Sequence, residues 1–314
     1  MNLKTVKFQS QMLNLGFVSA ILADFNFEYV VDFAANHGFK TVEMMCWPGG
    51  NADTRRYAGV THIDVENMNV KYIQKYLKEK NITISGLGYY PNPLDADPSK
   101  SEFYIEHIKK VIRACNALDV PVMNTFIGRN QHLNMQENLA LFKKLWRPII
   151  DVAEQEGVKI GIENCPMFFT NDEWPGGKNL AISPAVWDAM FETFPTPLFG
   201  LNYDPSHMIF QMMDEIKPIY QYKDRLHHIH IKDVKVYREK LDRVGILANP
   251  LEYHSPKLPG LGDVNWRAFF AALTDVRYRG PVVLEVEDKA YEGSPEDITA
   301  AIKTARNYVK QFLD

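Results

Sequence analysis

The stretch VPVMNTFIG (120–128), then NMQENLALFKKLWRPIIDVAEQEG (134–157), then VKIGIENC (158–165) decides the fold. The first and last pieces are short apolar runs of strand length. The middle piece has the amphipathic spacing of a long helix, with a bend expected near Pro148. A strand, a helix and a second strand in immediate succession imply parallel strands joined by a crossover helix. Towards the N-terminus the same rhythm gives strands in LNLGFVSA (13–20), TVEMMCW (41–47) and ITISGLGYY (82–90). Helices lie between them: FEYVVDFAANHG (27–38), closed by Gly38; NMNVKYIQKYLKEKN (67–81), with Val70, Ile73 and Leu77 on one face; and a helix carrying Ile105, Ile108, Ile112 and Cys115. Towards the C-terminus, strands are expected in LFGLNYDPSH (198–207), HHIHIKDV (227–234) and PVVLEVED (281–288). Their helices fall near 183–194, near 215–226, at 265–280, and in a last segment with Ile298, Ile302, Ala305 and Val309 on one side. Eight strand–helix pairs in 314 residues predict a closed (β/α)8 TIM barrel forming a single domain over residues 1–314.

Composition removes other classes. Hydrophobic residues are 46% and charged residues 24%, which excludes a disordered, collagenous or coiled-coil chain. A net charge of −4 lacks the basic excess of a protein that grips a phosphate backbone, so no nucleic-acid partner is expected. No apolar run reaches membrane-spanning length, so no membrane partner is expected. The first residues mix Lys, Gln and Ser into their apolar positions and lack a signal-peptide core. Cys46, Cys115 and Cys165 match no zinc spacing and are too few for a disulfide framework. A cytoplasmic location is expected. No glycine-rich dinucleotide or P-loop motif follows any expected strand.

Barrel active sites sit at the C-terminal ends of the strands. There the fifth expected strand offers Glu163 and Asn164, the sixth Asp204 and then His207, the seventh His228, His230, Lys232 and Asp233, and the eighth Glu285, Glu287 and Asp288. Four consecutive strands thus bring carboxylates and imidazoles to one rim. Such a set suits a divalent cation, which also relieves the repulsion among the carboxylates. Each residue also has an ordinary structural use. Asp204 before Pro205 fits a turn or helix cap. Strand alternation puts His228 and His230 on one face, where one of them can be a satisfied core histidine, and turns His227 towards a helix. Glu287 shares the face of Glu285 and can pair with a cation or replace Glu285 as a ligand. Lys232 and Asp233 fit a surface pair.

GIENCP (161–166), NYDPSH (202–207), HIHIKD (228–233) and LEVED (284–288), in this order and spacing, resemble the sugar phosphate isomerase/epimerase family of the xylose isomerase-like TIM barrel superfamily. The resemblance runs from LGFVSA (15–20) to the last helix. It implies one divalent ion (Mn²⁺, Co²⁺, Mg²⁺ or Zn²⁺) held by Glu163, Asp204, His230 and Glu285, with His207 beside the ligands or touching substrate. It also implies a small-molecule sugar, sugar phosphate or cyclitol substrate. Glu163 and Glu285 would be the catalytic pair, flanking a carbon next to a carbonyl. A cation that polarises the carbonyl oxygen stabilises an enediolate and lowers the cost of removing the proton. Returning the proton to the other face is epimerisation, and returning it to the neighbouring carbon is isomerisation. Losing a leaving group instead is dehydration, so a lyase or hydratase on a 3-keto sugar or inosose is the alternative. An abasic-site endonuclease, a more distant relative, needs histidines on early strands that MMCW (44–47) and SGLGYY (85–90) do not supply. A non-catalytic barrel would have lost its ligand set, which is complete here.

The segment His230-Ile231-Lys232-Asp233 departs from the Gly-Glu and Arg that usually follow the strand-seven histidines in ketose 3-epimerases. Lys232 there suits an acidic or phosphorylated substrate group, or proton donation if its pKa is depressed. Long segments after strands two, five and seven read as binding loops. Trp47, Tyr89, Tyr90, Phe126, Phe168, Phe169 and Trp174 near strand ends offer aromatic faces to a sugar or simply pack the loops. Asn124, Trp47 and His254 complete the expected substrate contacts, and His132 and Lys257 are further candidates. Cys165 reads as pocket wall. A homodimer is compatible with the sequence, which carries no feature that requires one.

Overall fold

The computed structural model describes residues 13–49, 59–168 and 174–313. Eight parallel strands close into a barrel. They are β1 (Leu15–Val18), β2 (Thr41–Met45), β3 (Thr83–Gly88), β4 (Val122–Thr125), β5 (Lys159–Glu163), β6 (Phe199–Tyr203), β7 (Leu226–Ile231) and the last strand, Val282–Leu284. Their order around the barrel is sequential, and the last strand pairs with both β1 and β7. The expected single-domain TIM barrel is therefore the observed architecture.

Helices follow the strands as the spacing predicts, including α1 (Phe27–Asn36), α2 (Val70–Lys80), α3 (Pro98–Ala117), α4 (Met135–Glu156) and α5 (Pro184–Thr193). Asn134 and Glu137 form a reciprocal capping box at the start of α4, and Gly157 closes it with φ 67°. Only glycine takes that left-handed conformation without steric cost. Pro148 lies inside α4, which is a single helical element on both sides of it.

Two expected elements differ. The helix near 215–226 is only α7 (Lys217–Gln221) and a 3-10 turn, after the short α6 (Ser206–Ile209). The expected strand 227–234 breaks at Lys232. Asp233–Val236 forms β8, which leaves the barrel and pairs antiparallel with β9 (His254–Lys257). Asp233 is the cause. Its buried carboxylate accepts from the amides of Val234, Gly260 and Val264 and from Trp266 Nε1, tying the following loop to the rim. It is thus a buried anchor and not half of a surface pair. α8 (Arg238–Val244), α9 (Trp266–Asp275), the last strand β10 (Val282–Leu284) and α10 (Pro295–Lys310) complete the chain. Among the described residues no helix is long and apolar enough to cross a membrane.

His62 locks the segment after β2. Its Nδ1 meets Ser19 Oγ at 2.8 Å and its Nε2 meets the Leu22 carbonyl at 3.1 Å. Burial pushes its pKa down to about 4, against the backbone hydrogen bonds that raise it. The unfolded chain therefore binds a proton between about pH 6.5 and 4 that the folded chain refuses, and stability falls as pH falls through that window. His62 is expected to account for about 2 kcal/mol of the loss between pH 7 and 5. Urea unfolding of wild type and His62→Gln at both pH values checks this. An unchanged pH slope in the variant would contradict it.

Candidate metal centre at the barrel mouth

Glu163 ends β5, Asp204 follows β6, His230 lies near the end of β7 and Glu285 follows β10. These strands are consecutive around the barrel, so their C-terminal ends converge on one point of the rim. The ligand-capable atoms of the four residues all lie within 4.8 Å of one another, and all four residues are buried. His230 Nδ1 is 3.3 Å from Glu285 Oε2 and 3.8 Å from Glu163 Oε1. His207, on α6, places Nε2 3.2 Å from Asp204 Oδ2 and 3.3 Å from Glu163 Oε1. Asp204 serves two purposes. Its Oδ1 accepts from the Ser206 amide, making the expected turn, while Oδ2 faces the cluster.

The donor set fits a divalent ion. His230 Nδ1 and Asp204 Oδ2 are both buried, and neither makes a well-directed hydrogen bond. Asp204 Oδ2 is held by the His207 and Lys232 cations, whereas buried polar atoms are almost always satisfied, so the His230 nitrogen facing these carboxylates without a directed partner marks a place for a ligand. Three carboxylates and one imidazole are the hard and borderline donors that Mn²⁺, Co²⁺, Mg²⁺ or Zn²⁺ accept.

The electrostatics follow from crowding. Burial opposes the charge on Glu163, yet His230, His207 and Lys232 outweigh it and bring its pKa to about 2. Burial likewise opposes the Asp204 charge, but Lys232 and His207 hold it far below the carboxylate range. Lys232 Nζ is 2.7 Å from Glu285, 3.0 Å from Asp204, 3.1 Å from Glu287 and 3.9 Å from Glu163. Against burial, these anions push its pKa well above the usual lysine value. The depressed pKa that proton donation by Lys232 would need is not met. Lys232 is a fixed ammonium. Burial raises Glu287 to about 6, with Glu285 adding to the rise and Lys232 opposing it.

The other expected residues scatter. Trp47 is buried at the end of β2, edge-on to Tyr89. His254 stacks on Phe210 at 4.2 Å between ring centroids, and Phe210 meets His207 edge-on. Phe210 thus stands between the His254 ring and the His207 ring. Asn124 is fully buried beside the strand glycines Gly86 and Gly161, and both its amide atoms lack partners. Gly161 precedes Glu163 by two positions on β5, which puts Asn124 a layer beneath the cluster. His132 is exposed, and Lys257 pairs with Asp288 at 3.4 Å. Burial pushes the Cys165 thiol above its usual pKa. Phe169 lies outside the described residues.

Sequence reasoning missed Glu43 on β2. It is fully buried, with Oε2 2.6 Å from His230 Nε2 and with the Tyr90 hydroxyl donating to Oε1. Asn202 Nδ2 donates to Tyr90 Oη at 3.1 Å. The signal was a lone carboxylate within the apolar run TVEMMCW, with Met45 two residues on. His228 is the satisfied core histidine of the pair. It is bonded to Asn202 Oδ1 at 2.9 Å and Ser85 Oγ at 3.0 Å, and burial brings its pKa to about 4.

The barrel and this cluster define the class: the chain belongs to the xylose isomerase-like TIM barrel family, whose model matches residues 31–309. Among individual proteins it is 27% identical over 339 residues to the uncharacterized protein YfiH of Bacillus subtilis, covering 96% of this chain and 99% of that one. It is 28% identical over 127 residues to inosose dehydratase of Clostridium perfringens, a match spanning 40% of this chain and 41% of the relative. The crystal structure of D-allulose 3-epimerase from Methylomonas sp. is similar over 96% of this chain and 99% of that one, with a TM-score of 0.68 and 18% identity. At that identity the likeness is one of fold.

Proposed function

We propose that the protein is a divalent-metal-dependent isomerase or epimerase of a sugar, sugar phosphate or cyclitol, acting by removal of a proton next to a carbonyl. The observation that carries this reading is the convergence of Glu163, Asp204, His230 and Glu285 on one buried point, with His230 Nδ1 facing the carboxylates there without a well-directed hydrogen bond. Those four residues would hold the ion, which when bound supplies positive charge to polarise a substrate carbonyl. Glu163 and Glu285 approach the point from different strands, so one carboxylate can take a proton from carbon and the other can return it. His207 hydrogen-bonds Glu163 Oε1 and steadies that oxygen. The fixed ammonium of Lys232 balances the carboxylates and presents a donor to substrate oxygens.

Dehydration is the second reading. It is favoured by the local match to inosose dehydratase and by Lys232 lying between Glu285 and Glu287, where it can hydrogen-bond a departing hydroxyl.

The test is mass-spectrometric deuterium uptake in heavy water with free ketoses, ketose phosphates, inososes and 3-keto-glucosides, with Mn²⁺ or with chelator. Metal-dependent uptake into one class is expected, and a change in product mass distinguishes dehydration. Conversion of a substrate without any solvent exchange would contradict proton abstraction.

A further inference from the structure

Glu43 is a buried anion in a place where burial is costly. It stands on β2, while its partner His230 stands on β7, and β1 and β10 separate those strands around the barrel. The contact therefore crosses the barrel interior. Room for it is made by Gly88 on β3, where a Cβ would lie 2.7 Å from Glu43 Oε1. Both carboxylate oxygens are used: Oε1 by the Tyr90 hydroxyl and Oε2 by His230 Nε2 at 2.6 Å.

We propose that Glu43 is a positioning residue for the metal centre: by accepting from His230 Nε2–H it leaves Nδ1 as the nitrogen that faces Glu163, Asp204 and Glu285. The inference rests on the metal-centre reading above. An ionised carboxylate only accepts, so Nε2 must carry a proton, and in the neutral imidazole that binding an ion requires the lone pair then lies on Nδ1. Asn202 Nδ2 donates to Tyr90 Oη and also lies 3.0 Å from Nε2, but the shorter 2.6 Å contact to a carboxylate that can only accept assigns the Nε2 proton to Glu43. If Asn202 donated to Nε2 instead, the proton would sit on Nδ1 and block the ligand position. Metal-binding histidines commonly donate their second N–H to a carboxylate, and loss of such a partner weakens metal affinity by roughly 10–100-fold. Tyr90 holds Glu43 in turn.

Zinc affinity, measured by chelator competition on wild type, Glu43→Gln and Tyr90→Phe, tests this. It is paired with ¹⁵N NMR of histidine-labelled, zinc-loaded protein. Glu43→Gln is expected to bind zinc roughly 10–100-fold more weakly, and Tyr90→Phe to shift affinity in the same direction by less. In wild type the His230 ring proton is expected on Nε2, with a resonance that moves in both variants. A folded Glu43→Gln that binds zinc within about twofold of wild type, or a ring proton on Nδ1, overturns the proposal. Should Glu43→Gln fail to fold, unchanged zinc affinity together with an unmoved His230 resonance in Tyr90→Phe overturns it. Wild type that binds no zinc would overturn the metal centre itself and this proposal with it. Equal binding by wild type and Glu43→Gln would overturn only the role of Glu43.

Discussion

Glu163→Gln is expected to lower turnover by roughly 10²–10⁴-fold while the barrel stays folded. The substitution keeps the size of the side chain and removes only its charge and its capacity to carry a proton. The backbone pairing of the barrel does not depend on that charge. The backbone carbonyl of Glu163, not its side chain, accepts from Asn179, and β5 keeps its pairing to β4 and β6. What changes is the cluster: the contacts to His207 at 3.3 Å and His230 at 3.8 Å lose their anion. Steady-state assay on the substrate found by deuterium uptake, with circular dichroism as the folding control, checks the prediction. A variant retaining more than about a tenth of wild-type turnover would remove Glu163 from the proton-transfer pair.

Lys232→Met is expected to destabilise the metal-free protein by roughly 3–5 kcal/mol, because it leaves buried carboxylates without their cation. The ammonium lies within 4 Å of Glu163, Asp204, Glu285 and Glu287. Removing it leaves His207 and His230 as the remaining cationic partners of the cluster. A divalent ion bound by the same carboxylates should restore much of the lost stability. Urea unfolding in chelator and in excess Mn²⁺ measures both effects. A loss under about 1 kcal/mol in chelator, or a loss indifferent to Mn²⁺, would contradict this charge balance.

The barrel was legible because its signal repeats: each apolar run precedes an amphipathic segment, and eight repeats outweigh errors at any one boundary. The boundaries that failed did so for tertiary reasons. The sequence lets the adjacent Lys232 and Asp233 pass for an ordinary surface pair. The structure sends Lys232 into the carboxylate cluster and gives Asp233 the adjacent Val234 amide and three donors from residues 260–266. The segment near 215–226 carries helical spacing, but the 3-10 turn and β7 claim its last residues.

The ligand candidates were legible because all four sit at ends of consecutive strands. Glu43 was not, because its partner is 187 residues away on a strand that is not its neighbour. No local spacing encodes such a pair. The division of labour between His228 and His230 was equally out of reach. Both face inward, and only the positions of Ser85, Asn202 and Glu43 decide which one is left with a free nitrogen at the rim.

The most direct measurement is metal stoichiometry by equilibrium dialysis and elemental analysis, on chelator-treated wild type and His230→Ala. One equivalent of Mn²⁺, Co²⁺ or Zn²⁺ per wild-type chain, weakened or lost in the variant, is the predicted result. No bound ion in wild type, or one equivalent held with the same affinity by His230→Ala, would contradict the centre assembled from Glu163, Asp204, His230 and Glu285.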